Sequence, residues 1–190
     1  MNKKTGFFPG LIFLTAILCL VLTHPVFAVG RSKSAVLTVY QNNSGTTYNE
    51  DLDQIVKAEL QKRLEGLYIE LDGDSYKHLF KDINVEETTG GEITELVKKS
   101  GADYLIYLDM YPFKKGENYN LIYHRRSMTA TVLLWIINLN SSETLFKEHF
   151  SLKEKDETDA WFIGNKSVAK KAVKATMYKV GEIISAKLPL

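Results

Sequence analysis

Cysteine is almost missing from this chain of 190 residues: the single one, Cys19, lies inside the apolar run 11–22 (LIFLTAILCLVL). A disulfide framework, a thiol nucleophile and a thiolate metal site are therefore excluded from everything after that run. Charge of one sign is missing as well. Twenty-four basic side chains face 23 acidic ones, a formal charge of +1, whereas proteins that hold nucleic acid by neutralising phosphates carry a basic excess or a basic arm. No nucleic-acid partner is expected. Histidine is scarce, with four residues. His78, His124 and His149 fall in three separate segments, without the one-turn spacing that sets two imidazoles on one helical face. No serine sits in the glycine-flanked elbow of a hydrolase. No cofactor, metal or catalytic residue is expected, and a site assembled only by the fold stays open as the alternative.

At the amino terminus, Lys3 and Lys4 precede the run 11–22, Pro25 breaks it, and Val26 and Ala28 are small or branched. This is the pattern of a secretory signal cleaved after Ala28; twelve apolar residues suit a signal core and fall short of the ~20 that span a bilayer. An uncleaved anchor is the rival reading. Cleavage leaves residues 29–190, with 22 basic and 23 acidic side chains and no cysteine. No stable membrane anchor is then expected, and a thiol-free exported domain points to a bacterial periplasm or extracellular space.

The rest reads as one α/β domain. Residues 34–40 (SAVLTVY) form a strand and 41–47 (QNNSGTT) a turn. Leu52, Ile55, Val56, Leu60 and Leu64 share one face of a helix over 49–64. Leu67, Ile69 and Leu71 alternate as a second strand with one buried face. A short helix carries Tyr76, Leu79 and Phe80, and another spans 92–100. Residues 102–111 (ADYLIYLDMY) are apolar on both faces, as in a central strand. The polar stretch 114–118 (KKGEN) is expected to be a hairpin turn, returning the chain over 119–139. A fifth strand follows at 144–152, then a charged loop at 153–159. The closing helix has one stripe of Val168, Ala169, Ala172, Val173, Thr176, Met177, Val180, Ile183 and Ile184. The expected fold is a sandwich of a mixed five-stranded sheet and packed helices, in the order β-α-β-α-α-β-β-β-α.

SAVLTVYQNNSG, LQKRLEG, LDGDSY and KKSGADYLIYLDM, in this order over residues 34–110, resemble a group of small envelope domains. These are the amino-terminal domain of the Tol-Pal translocation protein, the curli-secretion lipoprotein and the lipoprotein activators of penicillin-binding proteins. The resemblance implies a non-enzymatic module that binds other envelope proteins, with a structural homo-oligomer as a further alternative.

Three surfaces stand out. Lys114, Lys115, His124, Arg125 and Arg126 are expected to gather at the hairpin as a basic tip for an acidic partner, or as a solvated end that discourages edge pairing. Lys166, Lys170 and Lys174 recur every fourth residue with Lys171 beside them, as on a surface helix preceded by acidic residues. Third, both faces are apolar in the second half of strand 127–139. An exposed patch near Trp135, rimmed by Thr129 and Thr131, would mark a partner surface; its rival is a sheet covered on both faces. Thr89, Gly90 and Gly91 ahead of a helix read as a plain helix entrance rather than an anion site.

Overall fold

A computed structural model of the chain describes residues 33–119, 124–158 and 164–189; of residues 118, 119, 124, 125 and 156–158 it describes the backbone alone. The expected signal segment and its cleavage residue Ala28 lie outside the described residues. The elements are β1 (Ala35–Asn42), α1 (Asn49–Leu64), β2 (Ile69–Asp72), a 3-10 helix (Asp74–Phe80), α2 (Gly90–Val97), a 3-10 turn (Lys98–Ser100), β3 (Tyr104–Met110), β4 (Lys114–Tyr119), β5 (His124–Asn138), β6 (Glu143–Thr158) and α3 (Asn165–Lys187).

The expected α/β class holds, with a mixed sheet of six strands rather than five. β1 lies parallel between β2 and β3; β5 is antiparallel to β3, β4 and β6. The sixth strand is the expected turn. Residues 114–119 pair with β5 from Lys114 opposite Thr129 to Tyr119 opposite His124, so β4 prolongs the line of β3 past Pro112. Residues 120–123 lie outside the described residues. A strand that runs past the covering helices has no core to face, so nothing selects the apolar alternation that marks a strand in sequence. For the same reason β6 continues to Thr158 through the lysines and glutamates expected to be a loop.

The two faces of the sheet carry separate cores. Even-numbered residues of β5, from Met128 to Ile136, join Val36, Ile106, Leu108 and Met110 beneath α1 and α3. The expected stripe of α3 is buried there from Val168 to Ile184, with Ile183 only half-buried. Leu133, Trp135 and Ile137 join Leu37, Val39, Leu105 and Tyr107 on the opposite face, beneath Phe80, Val85, Ile93 and Val97. β3 is buried on both sides, as its composition requires. β2 departs from expectation: Leu67 and Ile69 are each 51% exposed, because this strand is an edge with β1 on one side only.

Local chemistry sets the element ends. Thr89 Oγ1 accepts from the Glu92 amide while the Glu92 carboxylate accepts from Thr89 N at 2.8 Å, a capping box that fills the entrance of α2 with the chain's own carboxylate. Gly101, at φ 68°, ends the following turn in the left-handed region that glycine enters without strain. Asp103 ties three strands together: its Oδ2 accepts from Ala35 N at 2.8 Å, its own N donates to Ala35 O, and its carbonyl accepts from Leu139 N.

Candidate functional site

The second face of the sheet is covered over half its length. The 3-10 helix, α2 and the loop between them cover Leu133, Trp135 and Ile137; beyond these residues, and among the described ones, the face is polar, with Thr129 and Thr131 half-buried. Cross-strand register composes it in rows. Tyr111 N donates to Thr131 O at 2.9 Å, and Thr131 stands opposite Ser151. Lys114, Thr129 and Lys153 form the next row, and Gly116, Ser127 and Lys155 the one after. Thr131 Oγ1 and Ser151 Oγ are 2.8 Å apart, and Ser127 Oγ donates to Gly116 O at 3.2 Å. A Cβ at Gly116 would stand 2.7 Å from Ser127 Oγ, so glycine lets that hydroxyl lie under β4. Lys114, Lys153 and Lys155 are exposed and form no ion pair among the described residues. Small hydroxyls thus form the floor and three lysines the rim.

A tighter polar cluster lies where the cover ends. Asp109, one residue before the end of β3, is 9% exposed, and Asn43 Nδ2 donates to its Oδ1 at 2.8 Å. Burial pushes the Asp109 carboxyl above its ordinary range, against smaller opposing effects of the Asn43 hydrogen bond and His149. His149 Nε2 lies 3.1 Å from Glu86 Oε1 and 3.3 Å from Tyr111 Oη. Tyr107, 0% exposed and stacked on Phe80 at 4.7 Å, has a hydroxyl with no hydrogen-bond partner among the described residues.

A raised folded-state pKa means that ionised Asp109 disfavours the fold: protonation adds stability that is lost as pH rises from the usual carboxylate range through the folded value. Asp109→Asn keeps an oxygen for Asn43 and removes the charge. It is expected to raise the urea midpoint at pH 7 and to lose most of that advantage at pH 4; an unchanged midpoint at both pH values would contradict the assignment.

The predicted surface residues divide. Thr129, Thr131 and Lys114 lie together on the open face. Lys115 and Arg126 lie on the opposite one, where Arg126 Nε is 3.4 Å from Glu117 Oε1; the side chains of His124 and Arg125 are outside the described set. Among the described side chains the expected basic tip divides between the two faces, because alternate residues of a strand point to opposite faces.

Trp135 is a correction. It is 0% exposed, with Nε1 donating to Thr144 Oγ1 at 3.1 Å and Lys147 Nζ standing 4.1 Å from the ring centroid. Lys147 in turn donates to the carbonyls of Val85, Glu86 and Thr88 at 2.6, 3.3 and 3.2 Å. That lysine pins the loop over the indole, so no apolar patch is left there.

The lysine stripe of α3 is tied to α1. Lys170 reaches Asp51 Oδ1 at 3.0 Å and Lys166 reaches Oδ2, which holds the Asp51 carboxyl below its usual range. Of the two histidines whose side chains are described, His78 is exposed and His149 meets a carboxylate; nearby Ser151 spends its hydroxyl on Thr131. Among the described residues no three His, Cys, Asp or Glu side chains are placed to hold a metal ion. The sequence reading missed Asp109, Asn43, Tyr107, Tyr111, Glu86 and Ser151. One signal was available: Asp109 is the one ionisable carboxylate within the apolar stretch YLIYLDM.

No family model matches the chain, and no curated protein matches its sequence. Among solved structures, the chain is similar to lipoprotein GNA1162 from Neisseria meningitidis (14% identity, 78% of this chain and 99% of that one, TM-score 0.41). It is also similar to TolB from Acinetobacter baumannii (11% identity, 81% and 27%, TM-score 0.40) and to the LpoB C-terminal domain from Salmonella enterica (12% identity, 72% and 91%, TM-score 0.33).

Proposed function

We propose that the chain is an exported, non-enzymatic accessory protein that binds another envelope protein through the open half of its second sheet face. One observation carries the reading. Over β4, β5 and β6 the second face presents the paired hydroxyls of Thr131 and Ser151, the Ser127 hydroxyl held by a carbonyl, and three lysines that form no ion pair among the described residues. Such a surface is stable in water, and a partner supplying carboxylates would complete it. Six residues of β5 at about 3.4 Å each and three strands about 4.8 Å apart give a platform roughly 20 by 10 Å between backbone axes. That size lies at the small end for protein contacts, so a reversible partner fits better than a permanent one. The resemblance of residues 34–110 to envelope binding domains supports the same reading.

Site-specific photocrosslinking in the cells that make the protein tests it. A photoreactive residue at Thr129 or Ser151 is expected to give one discrete protein adduct, and the same residue at Lys174, on the outer side of α3, none. Adducts from Lys174 alone would move the partner to the helical side and sink the proposal.

A further inference from the structure

Two buried polar groups beside the open face are short of partners, and they are neighbours. Asp109 is 9% exposed, and among the described residues it has a single side-chain donor, the neutral Asn43; the cationic group that acts on it, His149, lies against Glu86 and offsets its burial only in part. Leaving a carboxylate in a buried place without a counter-ion costs several kcal/mol by general experience. The hydroxyl of Tyr107 is fully buried and has no hydrogen-bond partner among the described residues. Tyr107, Asp109 and Tyr111 follow one another at every second position of one strand line, so all three stand on the same face, about 7 Å apart in succession. Their mutual influence agrees with that placement: Asp109 and Tyr111 act on the Tyr107 hydroxyl, and Asp109 and Glu86 on that of Tyr111.

Most of the groups around this spot can accept hydrogen bonds. Glu86 brings a second carboxylate, held at the rim by His149. Tyr107 and Tyr111 bring phenolic oxygens. The cation on the adjoining stretch of β6, Lys147, spends its ammonium on three loop carbonyls and the Trp135 ring, so it does not serve Asp109. A site with two carboxylates and two phenols against one imidazole, itself held by Glu86 and Tyr111, has acceptor capacity to spare for a group made only of N–H donors.

We propose that the notch formed by Asp109, Tyr107, Tyr111 and Glu86 receives the guanidinium or ammonium of a basic side chain on the docked protein. This rests on the docking face proposed above and adds its anchor: the notch takes a cation at one end of the platform, while Lys114, Lys153 and Lys155 take carboxylates at the other. A partner segment with a basic residue followed by acidic ones, laid along β5, meets both ends. The opposed charges also fix the direction in which it lies.

The probe is N-acetylarginine amide, titrated into the 15N-labelled chain, with neutral N-acetylcitrulline amide as its control. The expected result is saturable amide shifts at Asp109, Tyr111, Thr131 and His149 at millimolar arginine derivative, and none with the citrulline one. Asp109→Asn is expected to weaken that binding at least ten-fold. Tyr107→Phe removes a hydroxyl that makes no hydrogen bond in the free protein, so the fold is kept and binding falls several-fold. Equal shifts with both probes, absence of saturation, or an Asp109→Asn titration like that of the unaltered chain would overturn the proposal and leave the notch to water. If Thr129 still crosslinks its partner in Asp109→Asn while the probe fails to bind, the cation anchor falls and the docking face stands. If Thr129 captures nothing in the unaltered chain, the docking face falls whatever the probe does.

Discussion

Replacing Trp135 with alanine is expected to lower stability by about 3–5 kcal/mol, the usual cost of deleting a large aromatic from a packed core. The indole is entirely buried three residues before the end of β5, opposite Tyr107 on β3 and Lys147 on β6, and packed in the core below the 3-10 helix and α2. Alanine would leave a cavity bounded by Leu37, Val39, Leu105 and Ile137, and would orphan the Thr144 hydroxyl that accepts from the indole. For a domain with a total stability of about 5–15 kcal/mol, that is a large fraction. Urea unfolding followed by circular dichroism reads it directly. A change within about 0.5 kcal/mol, as found at ordinary surface positions, would mean that the tryptophan is on the surface after all.

The second large effect concerns Lys147. Methionine keeps most of the aliphatic stem and removes the ammonium. Hydrogen bonds to a charged donor are worth about 1.5–3 kcal/mol, and a cation over an indole about 0.5–2. Three carbonyls share this donor and can rehydrate in part, so Lys147→Met is expected to cost about 2–3 kcal/mol. The loss is local. Amides of residues 84–89 are expected to exchange faster with solvent, while those of β1 and β3 keep their protection relative to global unfolding. Uniform acceleration across the sheet, or none in that loop, would show that Lys147 does not pin it. The same variant bears on the notch, because Glu86 belongs to the pinned loop and its carboxylate holds His149 at the rim.

Much of the architecture was legible because burial writes periodicity into sequence. α1 and α3 were readable from residues such as Leu52, Val56, Val168 and Val180, which recur at helical spacing and are buried. β3 was readable because it is apolar on both faces and has core on both. β4 was not: KKGENY lies past the helices, where a strand is held by backbone hydrogen bonds and shows no hydrophobic alternation. Trp135 was misplaced for another reason. Its cover comes from Lys147, twelve residues away in sequence and opposite it across β5 and β6, and a lysine that roofs an aromatic looks in sequence like any solvated lysine. The candidate site was half legible. Thr129, Thr131 and Lys114 were named, but the basic tip was not resolved into two faces, since that depends on a register the chain reveals only when paired. Asp109 was open to notice as a lone carboxylate in an apolar strand; Glu86, His149 and Asn43 join it from three other segments.

The docking face is tested most directly by mapping photocrosslinks in the native cell at Thr129, Ser151, Lys153 and Lys174. One protein adduct of the same mass from the first three positions and none from Lys174 is the result expected. Adducts from Lys174 without any from Thr129, Ser151 or Lys153 would contradict it.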